Sequence, residues 1–172
     1  MSTASQASFL VRPIQVADIP DFHRVLDGVC RERKYLAMLE APPLEGTESF
    51  VRNNVQMDHP QFIALVNGQL AGWCDALPGE STHGTAHIGH LGMGVAKPFR
   101  RQGLGAKLMH AVLDKARDKG MVKIELEVYA SNTGAVTLYQ RFGFEEEGRK
   151  RRGRFLDDHY DDVVVMSLFL DT

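Results

Sequence analysis

The sequence predicts an α/β fold, and three observations carry that reading. Strand-like and helix-like runs alternate along the chain, two apolar runs flank Asn67-Gly68, and a glycine-bearing loop joins a strand-like run to an amphipathic helix. Phe9 to Arg12 suits a short first strand stopped by Pro13. Asp18 then offers a helix start, with Ile19, Phe22, Val25, Leu26 and Val29 spaced to share one face behind it. The next segment, RERKYLAMLEAPPLEGTESF, mixes two prolines and a glycine with charged and apolar residues. It reads as a loop leading into a second helix from about Thr47. Phe62 to Val66 and Leu70 to Leu77 read as a hairpin, because both central residues of a type I′ turn need positive φ and Asn-Gly supplies them.

After a polar loop around Gly79 to Gly84, Ala86 to Val95 reads as a strand. Its Gly89, Gly92 and Gly94 are costly there unless something approaches the backbone closely. Leu104, Leu108, Ala111, Val112 and Ala116 make one face of a helix that Gly120 stops. Ile124 to Val128 gives a strand and Asn132 to Arg141 a helix, and two last strands centre on Phe144 to Arg149 and Val163 to Leu170.

At 172 residues the chain suits one domain, read as a flexible tail over 1–8 and a single domain over 9–172. The net charge of −2, with both signs mixed along the chain, supplies no global field toward nucleic acid or an anionic membrane, which leaves specific small-molecule chemistry. Cys30 and Cys74 match no metal or redox spacing and read as free thiols of a reducing compartment. No apolar run approaches the roughly 20 residues of a membrane span, and the start MSTASQASF lacks the pattern of a signal peptide. The sequence therefore reads as cytoplasmic.

The chemistry concentrates in Arg100-Arg101-Gln102-Gly103-Leu104-Gly105-Ala106-Lys107. Two glycines let backbone amides approach an anion, the first helical turn offers unpaired N–H groups, and the arginines add positive charge. The loop lacks GxxxxGK[ST] and has no third glycine for GxGxxG, so nucleotide hydrolysis and dinucleotide binding are disfavoured. What remains is RxxGxG, which fits a phosphorylated cofactor or a glycine-containing helix start. His83, His87 and His90 invite a metal reading, but an odd spacing puts His87 and His90 on opposite strand faces, and no metal is expected. Arg149 to Arg154 is followed at once by Asp157, Asp158, Asp161 and Asp162, which reads as a charged hairpin rather than a nucleic-acid surface.

Taken in order, GHLGMGV, the RxxGxG loop and its helix, IELEVYA and SNTGAVTLYQRFGFEEEG resemble the Gcn5-related N-acetyltransferase (GNAT) superfamily. The resemblance covers about Phe9 to Leu170 in element order, with its motifs between Gly89 and Gly148. It implies a mixed, largely antiparallel, twisted sheet of six to seven strands with helices on both faces and a splayed strand pair at the acetyl-CoA site. It also implies acetyl-CoA as co-substrate, its pyrophosphate held by the loop of Arg100, Arg101, Gln102, Gly103, Leu104, Gly105 and Ala106. The pantetheine would then lie along Met93, Gly94 and Val95 and reach Asn132, whose alternative reading is a helix N-cap. Tyr139 matches the family's tyrosine beside the CoA sulfur, where a neutral phenol protonates the leaving thiolate.

For the base, three readings stand together. Glu127 lies twelve residues before Tyr139, a spacing similar to that of the bacterial ribosomal-protein alanine acetyltransferase; His90 occupies the strand position where relatives carry a carboxylate; a water relay is the third. The implied activity is direct acetyl transfer to a primary amine of a small molecule, including an amino acid whose carboxylate Arg31, Arg33 or Tyr35 would grip. The alternatives are acetylation of a protein N-terminus or lysine, and a non-catalytic acetyl-CoA sensor. A homodimer is expected by analogy alone.

Overall fold

The computed structural model describes residues 8–79 and 84–171. In chain order the elements are β1 (Phe9–Pro13), α1 (Ile19–Arg31), α2 (Leu44–Gln56), β2 (Gln61–Val66), β3 (Gln69–Pro78), β4 (Ile88–Val95), α3 (Leu104–Asp118), β5 (Lys123–Tyr129), α4 (Thr133–Arg141), β6 (Glu145–Leu156) and β7 (His159–Phe169). The strands form one sheet in the order β1-β2-β3-β4-β5-β7-β6. Its neighbours are antiparallel except β4 and β5, which run parallel and are bridged by α3, long enough for the crossover.

Alternation along each strand assigns side chains to two cores. Ile63 and Trp73 face α1 and α2, where Phe22, Val25, Val29 and Val51 meet them. Cys74, Ala76, Ile124, Leu126 and Val128 face the opposite side, against Leu104, Leu108, Val112 and Tyr139 of α3 and α4. Helices thus cover both faces. Asn67 (φ 49°) and Gly68 (φ 79°) both turn left-handed, as the hairpin reading requires.

Two departures from the sequence reading have physical causes. α2 begins at Leu44, earlier than about Thr47, because Pro43 stands at its N-cap instead of ending a loop, and Thr47 is already buried inside the helix. β6 extends through the basic run to Leu156, well past Arg149. It is a mostly exposed edge strand with two register shifts, so no apolar alternation marks it. Its turn, Asp157-Asp158, has φ of 51° and 60° without a glycine, a conformation that aspartate tolerates.

Candidate active site

β4 and β5 pair only at Ile88↔Lys123, Gly89↔Ile124 and His90↔Glu125, and above His90 the ladder ends although both strands continue. The sheet is therefore split in its middle. The β4 residues Leu91 to Val95 are half-buried at its centre, with backbone on the β5 side unpaired by that strand. A cavity of about 240 Å³ opens in the split, lined by His90, Leu91, Glu125, Leu126, Glu127 and Val165.

Glycines set the shape of β4. A Cβ on Gly94 would lie 2.3 Å from the Trp73 ring, so no larger residue fits while Trp73 fills the α1 side. At the top of the split the chain passes through Arg101 (φ 60°) and Gly103 (φ 79°) into α3. The first helical bond near this end is Lys107 N–H to the Gly103 carbonyl, so the preceding amides of the first turn are free for an anion. A Cβ on Gly105 would meet Leu138 at 3.0 Å and Met93 at 3.4 Å, so Gly105 brings this helix start against both α4 and β4. The observed backbone suits a pyrophosphate, and the arginine side chains divide the work. Arg101 is exposed and has no ion-pair partner among the described residues. Arg100 turns inward: its Nε donates to the Val95 carbonyl (2.8 Å), its guanidinium forks onto Glu32 (2.5 and 2.8 Å), and it stacks over Tyr35 at 4.7 Å. Its side chain therefore ties α1 to the end of β4, and its backbone N–H is directed to the Lys97 carbonyl.

α4 supplies the other wall. The Asn132 side chain accepts from Ala135 N–H at 3.3 Å, which is the N-cap arrangement. Tyr139 is 7% exposed, packs against Phe144, and lies in the core that contains Cys74 and Met93. Its hydroxyl bonds to no described residue and is not sealed from solvent. Burial, with a smaller contribution from Cys74, pushes the phenol well above its ordinary range, so it keeps its proton. Cys30 and Cys74 are buried free thiols, and burial raises both.

His90, Glu125 and Glu127 meet at the mouth of the split on the α1 side. His90 Nδ1 lies 4.0 Å from Glu125 Oε2, Glu125 accepts from Lys123 at 2.7 Å, and Glu127 is held by Lys150 of β6. His83 lies outside the described residues, and among those described no three His, Cys, Asp or Glu side chains form a metal-holding group.

One group at this level was missed by the sequence reading. Asp75 of β3 is 8% exposed and stands opposite Gly92 of β4. Burial pushes its carboxyl up to about 7, against a smaller opposing effect of the Gly92 N–H. The only available signal was one acid inside the apolar run LAGWCDALP.

The loop 32–43 after α1 and the β6–β7 hairpin meet. Arg33 forks onto Asp157 (3.1 and 2.7 Å), and Arg154 donates to the Arg33 carbonyl (2.6 Å) while stacking over Tyr129 at 4.3 Å. Arg31 is engaged by Asp27 and Glu40, and Tyr35 by Arg100. None of the three side chains expected to grip a carboxylate is free to do so in this arrangement.

The fold is shared with solved acetyltransferase structures. The GNAT-family acetyltransferase of Streptococcus pneumoniae superposes with a TM-score of 0.85 at 26% identity, covering 94% of this chain and 99% of that one. The phosphinothricin acetyltransferase of Sinorhizobium meliloti, in complex with acetyl-CoA, shares the fold with a TM-score of 0.87 at 14% identity over 96% and 89% of the two chains. The model of the acetyltransferase (GNAT) family matches residues 31–144, and the chain belongs to that family. In sequence it is similar to the [ribosomal protein bS18]-alanine N-acetyltransferase of Escherichia coli K12, 36% identical over 70 residues, which are 41% of this chain. The match spans 47% of that relative's length.

Proposed function

We propose that the protein transfers the acetyl group of acetyl-CoA directly to the primary amine of a small molecule, such as an amino acid, within a ternary complex. The observation that carries this reading is the end of the β4–β5 ladder above His90, directly below the α3 start and beside Tyr139. An extended thiol arm fits that slot, with amides of Met93, Gly94 and Val95 along it and the pyrophosphate on the amides of Gly103 to Ala106. Asn132 stands at the mouth as N-cap, with its amide group available to the arm.

The chemistry then needs three services. Backbone N–H groups of β4 polarise the thioester carbonyl. Tyr139, kept protonated by burial, hands its proton to the departing sulfur. The rim residues Glu127 and His90, directly or through water, carry protons away from the incoming amine. The Arg33–Asp157 and Arg154–Arg33 contacts span the acceptor side and favour a compact acceptor over a polypeptide. A second reading, acetylation of a protein N-terminus or lysine, is supported by the E. coli relative and by the spacing of Glu127 and Tyr139 in the sequence.

The test is CoA release with free amino acids, other small amines and short peptides. Turnover with small amines supports the main reading, and turnover confined to peptides replaces it with the second. Tight acetyl-CoA binding without any acceptor turnover would leave a sensor and contradict both.

A further inference from the structure

Asp75 stands beside the split, opposite Gly92 of β4, and its one bonding partner is the Gly92 N–H, with no cationic side chain acting on it. Trp73 faces α1 and Cys74 the opposite core, so Asp75 shares the α1 face of the sheet, the face on which His90, Glu125 and Glu127 lie. On β2 its cross-strand neighbour is Gln61, neutral and sealed. The Gln61 oxygen accepts from Asn54 of α2, its Nε2 has no partner, and Thr47 of α2 has an unused hydroxyl. On β4 the opposite residue is Gly92, with His90 on the diagonal. Across the split, Glu125 and Glu127 are each already held by a lysine. No lysine or arginine acts on Asp75 itself.

The missing side chain at Gly92 is what opens a path. A Cβ there would lie 3.3 Å from Asp75 Oδ1, so the space above Gly92 adjoins the carboxyl. Gly92 also follows Leu91, the last β4 residue of the cavity wall, and lies two residues beyond the last β4–β5 pair. A ligand entering the split therefore meets a buried carboxyl that has the Gly92 N–H but no charged partner, across a gap of one side chain.

We propose that Asp75 meets the acceptor's ammonium group at the split and takes its proton before acyl transfer. This role rests on the acetyltransfer reading above and adds a residue to it. The ammonium gives one proton to the Asp75 carboxylate, which frees the nitrogen lone pair. The N–C bond forms as the C–S bond breaks, the sulfur receives a proton from Tyr139, and the second proton lost by nitrogen restores Tyr139. Asp75 returns its proton to water at the mouth beside His90, so each turnover releases one proton. A carboxyl that titrates near neutrality is suited to this exchange, since it is ionised often enough to accept and basic enough to hold.

The test compares the parent with Asp75→Asn, which keeps the shape and removes the charge. With an amine that the parent acetylates, kcat/KM is expected to fall about 100-fold or more, and the rise in kcat/KM from acid to neutral pH to disappear. Acetyl-CoA affinity should stay within about twofold, which shows that the donor site is intact. A second variant, Gly92→Ala, keeps the carboxyl and narrows the gap; the KM for the amine is expected to rise about fivefold or more. An Asn variant with the parent's rate and pH profile, or an Ala variant with an unchanged KM, overturns the role of Asp75 and leaves the acetyltransfer reading standing. A parent that releases CoA with no amine at all overturns both.

Discussion

Asp75→Asn makes a thermodynamic statement that can be worked from the structure without any substrate. The carboxyl has an ordinary value of 3.8 and is pushed up to about 7 by burial. A folded state that holds its proton to higher pH than the unfolded chain is fully favoured below the unfolded value and loses that advantage as pH rises through the folded one. The window is therefore about pH 4 to 7. A shift of roughly three units, at about 1.4 kcal/mol each, sets an upper bound of about 4 kcal/mol on the stability the parent loses across it. Asparagine does not titrate. Urea unfolding of parent and variant between about pH 4 and 8 isolates the effect, because carboxylates such as Asp18, held low by Arg12, destabilise both proteins equally in acid. The variant-minus-parent stability is expected to rise by several kcal/mol toward alkaline pH. A difference flat within about 0.5 kcal/mol would mean that the carboxyl is solvated, and the reasoning from its burial would be wrong.

Other outcomes follow from single contacts. Tyr139→Phe removes a hydroxyl that bonds to no described residue, so thermal stability should move little while turnover falls about 100-fold and acetyl-CoA affinity holds; equal rates would remove its acid role. Gly94→Ala drives a methyl into the Trp73 ring and should cost about 1–3 kcal/mol in chemical denaturation, with weaker acetyl-CoA binding as β4 shifts. Asp157→Asn removes the Arg33–Asp157 ion pair and leaves the Arg154 bond to the Arg33 carbonyl; stability should change little because the pair is exposed, while peptide acceptors should gain relative to small amines in a competition assay.

Much of the scaffold was legible because its signals are local. Asn67-Gly68 fixed a turn by backbone sterics, Gly103 marked the start of α3, and Tyr139 could be placed by the run TLYQRFGF around it. What escaped notice depends on partners distant in sequence. Arg100 read as a phosphate ligand, yet its guanidinium belongs to Glu32, 68 residues away. Arg33 read as a substrate contact, yet it pairs with Asp157, 124 residues away. β6 stayed hidden because an exposed edge strand carries no alternating pattern, and Asp75 because one acid within an apolar run gives no periodic cue. The split itself is a failure of two strands to stay paired, and only register reveals it.

In the proposed mechanism this split, capped by the start of α3, is the donor site. Amide hydrogen exchange with and without acetyl-CoA tests it most directly. Saturating acetyl-CoA is expected to slow exchange at Met93 to Val95 and at Gly103 to Ala106, with little change in the β1–β2 ladder. Unchanged exchange at both stretches, or protection confined to another surface, would contradict it.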